Sequence, residues 1–142
     1  MIREFNPQTD DLTIFKAFEK ESKFLDIDPE YAKQRYEEMI KSGSAAMLIL
    51  EEKGESVGGL GLINASGIHN RHRIAVEDFW WVDPNHRGKG LDLFFAFEAW
   101  AKIHGCQQTA MVHLVDSMPE RLERFYLRQG YHLVEKHYVK EI

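Results

Sequence analysis

Between Trp81 and Phe95 the chain reads WVDPNHRGKGLDLFF. Arg87-Gly88-Lys89-Gly90 is a glycine-rich turn feeding directly into an apolar run, Leu91 to His104. A turn of this kind presents backbone N–H groups and the positive end of a helix dipole, and that combination holds phosphate. Arg87 and Lys89 add cationic contacts to the same ligand. Asp92, in the first helical turn, caps free N–H groups and suits the dipole. An ordinary strand–helix turn has the same form, so the loop needs support from elsewhere. It lacks the Lys-Ser/Thr ending of a nucleotide P-loop, which argues against phosphate or nucleotide hydrolysis.

The elements that must position this turn are legible on both sides. Ala75 to Val82 is rich in aromatic and β-branched residues and reads as a strand, ended by Asp83-Pro84-Asn85. Leu91 to His104 is apolar on nearly every face, as in a helix buried on a sheet, and Gly105 is its C-cap. Gln107 to Val115 reads as the next strand, giving a parallel crossover. Upstream, Met1 to Phe5 reads as an edge strand. A helix follows from an N-cap at Thr9 or Asp10 to about Lys23, with Leu12, Phe15 and Phe18/Ala17 inward. A second helix spans Glu30 to Lys41, with Pro29 in its first turn and Ser42-Gly43 as its stop. Lys33, Glu37, Glu38 and Lys41 form its solvated face. Ala45–Glu51 and Ser56–Asn64 form a hairpin around Glu52-Lys53-Gly54-Glu55, and Gly58, Gly59 and Gly61 mark a bulge or a close backbone approach. After Pro119, a helix from Glu120 to Gln129 is stopped by Gly130, and Tyr131 to Lys140 reads as a closing strand. The expected fold is therefore α/β (α+β), a mixed central sheet of about six strands with four helices. The order is β-α-α-β-β-β-α-β-α-β, in one domain over 1–142 without repeats or linkers.

Composition bounds the function. Of 142 residues, 44% are hydrophobic and 29% charged, as in ordinary globular proteins. The net charge of −5 argues against non-specific nucleic-acid binding. Cys106 is the lone cysteine, which rules out an intrachain disulfide or a cysteine zinc site and fits a reducing compartment. His69, His72 and His113 could relay protons, but no pair has metal spacing; no metal is expected. The start, MIREFNPQTDD, has no signal-like apolar core, and no run is long enough to span a bilayer, so a cytoplasmic location is expected.

Val82-x-Pro84-x-x-Arg87-Gly88-x-Gly90 resembles the pyrophosphate loop of the GNAT N-acetyltransferases, whose pattern is Arg/Gln-x-x-Gly-x-Gly/Ala. The chain departs from it at Asp92, where the family has a small residue and where a carboxylate would repel pyrophosphate. The element order is that of a whole GNAT domain. Phe125-Tyr126-Leu127-Arg128-Gln129-Gly130-Tyr131 is similar to the family's Tyr-x-x-x-Gly-Phe/Tyr segment, whose tyrosine serves the thiolate as CoA leaves. The resemblance implies acetyl-CoA (coenzyme A) as co-substrate. Trp81 and Val82 would make backbone contacts, Arg87, Gly88, Lys89, Gly90, Leu91 and Asp92 would surround the pyrophosphate, and Ser117 would stand in for the family's asparagine. Tyr126 would be the acid, although it also reads as a core aromatic. The compact size and terse loops are similar to small phage and prophage members.

Acetyl transfer needs a neutral amine, hence a base or a water chain leading to one, and backbone donors to polarise the carbonyl. Bases in the family lie on the central strand, where Glu77 and Asp78 are adjacent. Adjacent strand residues face opposite ways, so at most one points into the site, and the longer Glu77 is preferred. Both could instead be solvated or paired with Arg71 or Arg73. In such folds the connection between the first two helices, here Lys23 to Glu30, overhangs the acceptor. Asp26 and Asp28 beside Phe24, Leu25 and Ile27 would suit a cationic small-molecule or protein amine; a capped loop tucked on the core is the alternative. The reading is an N-acetyltransferase working by direct attack, against an inactive GNAT-fold binding or structural protein. No nucleic-acid or membrane partner is expected, and a homodimer is left open.

Overall fold

The computed structural model describes residues 1–22, 26–113 and 119–142. They fall into two compact units, Met1–Val112 and His113–Ile142. The first is built on a strand that is apolar on both faces. In β2 (Ala45–Glu52) the first six residues are all buried. Ala46, Leu48 and Leu50 belong to one core cluster, and Ala45, Met47 and Ile49 to another. A strand with no polar face has to be covered on both sides, and each fully buried large aliphatic contributes roughly 1.5–3 kcal/mol.

The sheet order is β1-β2-β3-β4-β5, with β1 (Ile2–Glu4), β3 (Glu55–Ser66), β4 (Arg73–Val82) and β5 (Gln108–Ala110). The first three pairings are antiparallel and β4–β5 is parallel. Helix α3 (Gly90–Ile103) covers one face, where Leu93, Phe97 and Trp100 meet Leu60, Leu62 and Ala75. Helices α1 (Thr13–Glu21) and α2 (Pro29–Ser42) cover the other, with Ile14, Phe15 and Tyr36 packed on Met47, Ile49 and Phe79. Helix α1 starts later than expected: the Asp11 side chain accepts from Thr13 N–H at 2.9 Å, while Asp10 is taken by Arg3. Asp28 caps α2 by accepting from Tyr31 N–H at 3.2 Å. The hairpin turn has Lys53 at φ 51° and Gly54 at φ 80°, the pair of positive angles that suits the twist of its strands.

The glycines of β3 are explained by what lies over them. A Cβ on Gly59 would stand 3.0 Å from Ile14 Cγ2. On Gly61 it would stand 2.5 Å from Phe79 Cε1 and closer still to the Tyr36 hydroxyl. Glycine here is the condition for α1 and α2 to lie close on the sheet.

Among the described residues there are five strands, where about six are expected. Strand β5 is shorter than the expected Gln107–Val115, and Leu114 and Val115 lie outside the described residues. Tyr131–Lys140 is not part of the described sheet. It belongs to the second unit, with α4 (Pro119–Arg128). The order β-α-α-β-β-β-α-β-α is otherwise as expected.

Candidate active site

The register of β4 carries the central irregularity. Gly61 pairs with Phe79 and Leu62 with Glu77, so Asp78 is the extra residue of a β-bulge. Beyond the bulge, Phe79 and Trp81 face α1 and α2, whereas Trp80 and Val82 face α3. Before it, Ala75 faces α3. The alternation is thus reversed across Asp78. Strict opposition of neighbours would not have revealed this.

A second feature coincides with the bulge. Strand β5 pairs with β4 only from Ile74 to Val76, so from Glu77 onward β4 has no partner on that edge among the described strands. At this fork the Glu77 carboxylate accepts from Val112 N–H at 3.2 Å. Glu77 pairs with Leu62 on the α3 face and is only 7% exposed. Burial, reinforced by the nearby Asp78 charge and opposed by the Val112 N–H, pushes its carboxyl up to about 8. Asp78 lies on the other face, where the Tyr36 hydroxyl donates to its Oδ2 at 2.5 Å. Tyr36 is itself buried, and the burial, with the Asp78 and Glu77 charges, raises its phenol well above the usual range. Neither carboxylate pairs with Arg73, whose Nε donates to Asn64 Oδ1.

Downstream of the fork, Val82 ends β4, and Asp83 accepts from Asn85 N–H at 2.8 Å. The glycine turn is a 3-10 helix over Pro84–Lys89 that runs straight into α3, with Gly90 N–H bonded to Arg87 O. The two glycines differ in role. A Cβ on Gly90 would meet Val82 Cγ2 at 3.3 Å and the Trp80 ring at 3.7 Å, so this glycine serves the core. A Cβ on Gly88 would meet nothing within 4 Å, so this one faces open space that a phosphate could fill. Leu91 and Asp92 are exposed in the first turn of α3. Arg87 Nη2 lies 3.1 Å from Glu21 Oε2, and Lys89 Nζ 2.6 Å from Glu52 Oε1. Both cations of the turn are therefore already paired with surface carboxylates, contacts of small net worth that an anion could displace.

Trp81 and Val82 pair with Gly59 and Gly58 of β3 and lie beyond the stretch of β4 that pairs with β5 among the described residues. Ser117 lies outside the described residues, as do Lys23, Phe24 and Leu25 of the connection before α2. Tyr126 belongs to the second unit, where its ring centroid is 5.8 Å from Phe125 and 6.0 Å from Tyr131. Gly61 was identified from sequence as a mark of a bulge or close approach, and Tyr36, which lies over it, was not. Tyr36 continues the inward stripe Ala32–Tyr36–Met39 of α2, and that stripe with the crowded glycines was the available signal.

A family model described as Acetyltransferase (GNAT) family matches residues 12–131. Among solved structures, glucosamine-6-phosphate N-acetyltransferase from Arabidopsis thaliana is similar at 17% identity and a TM-score of 0.77, over 99% of this chain and 97% of that one. Ribosomal-protein-alanine N-acetyltransferase from Brucella melitensis biovar Abortus 2308 is similar at 17% identity and a TM-score of 0.77, over 100% and 98%. AAC(6')-Iy, in complex with a CoA-containing bisubstrate analogue, is similar at 16% identity and a TM-score of 0.74, over 100% and 97%. No curated protein sequence gave a significant match.

Proposed function

The chain belongs to the acetyltransferase (GNAT) family, and from that premise we propose that it transfers an acetyl group from acetyl-CoA to a primary amine by direct attack in a ternary complex. The observation that carries the reading is the fork at Glu77. A buried carboxyl with a pKa of about 8 stands where β4 leaves β5, five residues before the end of the strand that leads into the Gly88 turn. A base of that pKa is matched to an operating pH near neutrality.

In this reading the whole chain, 1–142, acts as one acyl-CoA domain. The pyrophosphate lies on the open side of Gly88, with Arg87 and Lys89 giving up Glu21 and Glu52 to reach it. Backbone groups of Trp81 and Val82 hold the pantetheine arm and polarise the thioester carbonyl. The amine nitrogen attacks the carbonyl carbon, Glu77 receives the proton the nitrogen sheds, and the C–S bond breaks. Tyr126, assigned on the resemblance of its segment, gives a proton to the departing sulfur, and solvent restores it. The products are an acetamide and free CoA.

The test is calorimetric titration with acetyl-CoA, with free CoA and ATP as controls, followed by amine-dependent CoA release. Micromolar binding of acetyl-CoA and little of ATP is the expected result. Tyr126→Phe should then lower turnover and leave acetyl-CoA affinity near wild type; unchanged turnover would move the acid role to water. A second reading, a GNAT-fold binding protein without transfer, draws on Asp92 exposed at the start of α3 and on the two occupied cations. Absence of acetyl-CoA binding would select it.

A further inference from the structure

We propose that the cavity beside α2 is the acceptor pocket of this transferase and that it takes a linear amine with more than one positive charge, a diamine or polyamine, held at Asp78. The inference rests on the acetyl-transfer reading above and names its substrate class. The cavity, about 280 Å³, is lined by Asp26 and Asp28 ahead of α2, by Tyr31 and Tyr36 on it, and by Asp78 of β4. Among the described residues the lining sets these three carboxylates against one cation, Arg35, whose Nη1 is engaged by Glu38 Oε2 at 2.8 Å. The wall is thus acidic and aromatic together. Tyrosine faces and carboxylates both attract ammonium groups, and the apolar parts of the wall accept the methylenes between them.

Asp78 is fixed at this wall by independent features of the fold. The bulge turns it to the α2 side, while Glu77 stays on the α3 side. The Tyr36 hydroxyl then holds one carboxylate oxygen, and only glycine at position 61 leaves room for that ring. A carboxylate oriented by a buried phenol on this side is suited to hold an ammonium group that stays charged, while Glu77 serves the nitrogen that reacts. The cavity's volume is sufficient for a linear alkyl chain carrying two ammonium groups. A monoamine has no second ammonium group to leave at Asp78, and an amine bearing its own carboxylate would be repelled.

The experiment compares kcat/KM for spermidine, putrescine, n-butylamine and β-alanine in the wild-type protein and in Asp78→Asn, with acetyl-CoA affinity measured by calorimetry in both. Spermidine and putrescine should exceed butylamine by roughly tenfold or more, and β-alanine should be poorest. Asp78→Asn should leave acetyl-CoA affinity within about twofold and bring spermidine close to butylamine, because the lost element is charge selectivity. A purely structural role for Asp78 would lower all four substrates alike, and that result overturns the proposal. So does a wild-type enzyme that turns over butylamine or β-alanine as well as spermidine, although acetyl transfer itself would then stand. Failure of the wild-type protein to bind acetyl-CoA would instead remove the transferase reading on which the proposal rests.

Discussion

At the scale of single residues, Glu77 ties stability to pH. Its carboxyl titrates near 4.5 in an unfolded chain and at about 8 in the fold. Between those values the folded chain keeps a proton that the unfolded chain has released, so stability falls as pH rises from about 4.5 to about 8 and is level beyond. Glu77→Gln retains an oxygen for Val112 N–H and has no proton to lose. In urea melts at a series of pH values, the variant should gain on the wild type across that window, by about 5 kcal/mol at most above pH 8. A constant difference across the window would show that Glu77 ionises normally. The glycines of the turn separate in the same way. Gly88→Glu should weaken acetyl-CoA binding by roughly tenfold or more through repulsion at the phosphates, while the melting temperature stays near wild type. Gly90→Glu should cost stability as well, since its Cβ meets Val82.

At the scale of elements, the close approach of α2 to β3 depends on Gly61. Gly61→Ala should destabilise by about 1–3 kcal/mol in chemical denaturation, because the added methyl overlaps Phe79 and displaces the Tyr36 ring from Asp78. If the loss were only that of an exposed strand position, the packing account would be wrong. This level also shows what could be read beforehand. The strand–turn–helix from Ala75 to Ile103 was legible because its signals are local: a β-branched run, a proline stop, two glycines and an apolar helix. The crowding at Gly58, Gly59 and Gly61 was visible as well. What lay over those glycines was not, because Tyr36 is 25 positions upstream of Gly61 and 42 from Asp78, and no local pattern links them. The bulge was hidden for a related reason. Alternation within one strand says nothing of an extra residue until its partner's register is known.

At the scale of the whole molecule, the first unit gathers the fork, the glycine turn and the acidic cavity, and Tyr126 belongs to the second. The proposal that 1–142 acts as one domain predicts a single cooperative unfolding transition, coincident by tryptophan fluorescence and far-UV circular dichroism and shifted upward by acetyl-CoA. All three tryptophans, at 80, 81 and 100, are in the first unit, whereas circular dichroism also reports α4, so separate transitions would reveal independent units. The extra residue at Asp78 has a further consequence for how this protein can change. It splits β4 into two half-strands of opposite phase, so hydrophobic demand falls on alternate positions in both halves but with a break at the join. Removing that one residue would make Glu77 and Phe79 adjacent on opposite faces and leave every other residue on its present face, whereas removing a residue elsewhere in either half would turn the residues beyond it to the wrong side. The strand therefore tolerates a change in its count only at the join, where the loss would be that of the carboxylate held by Tyr36.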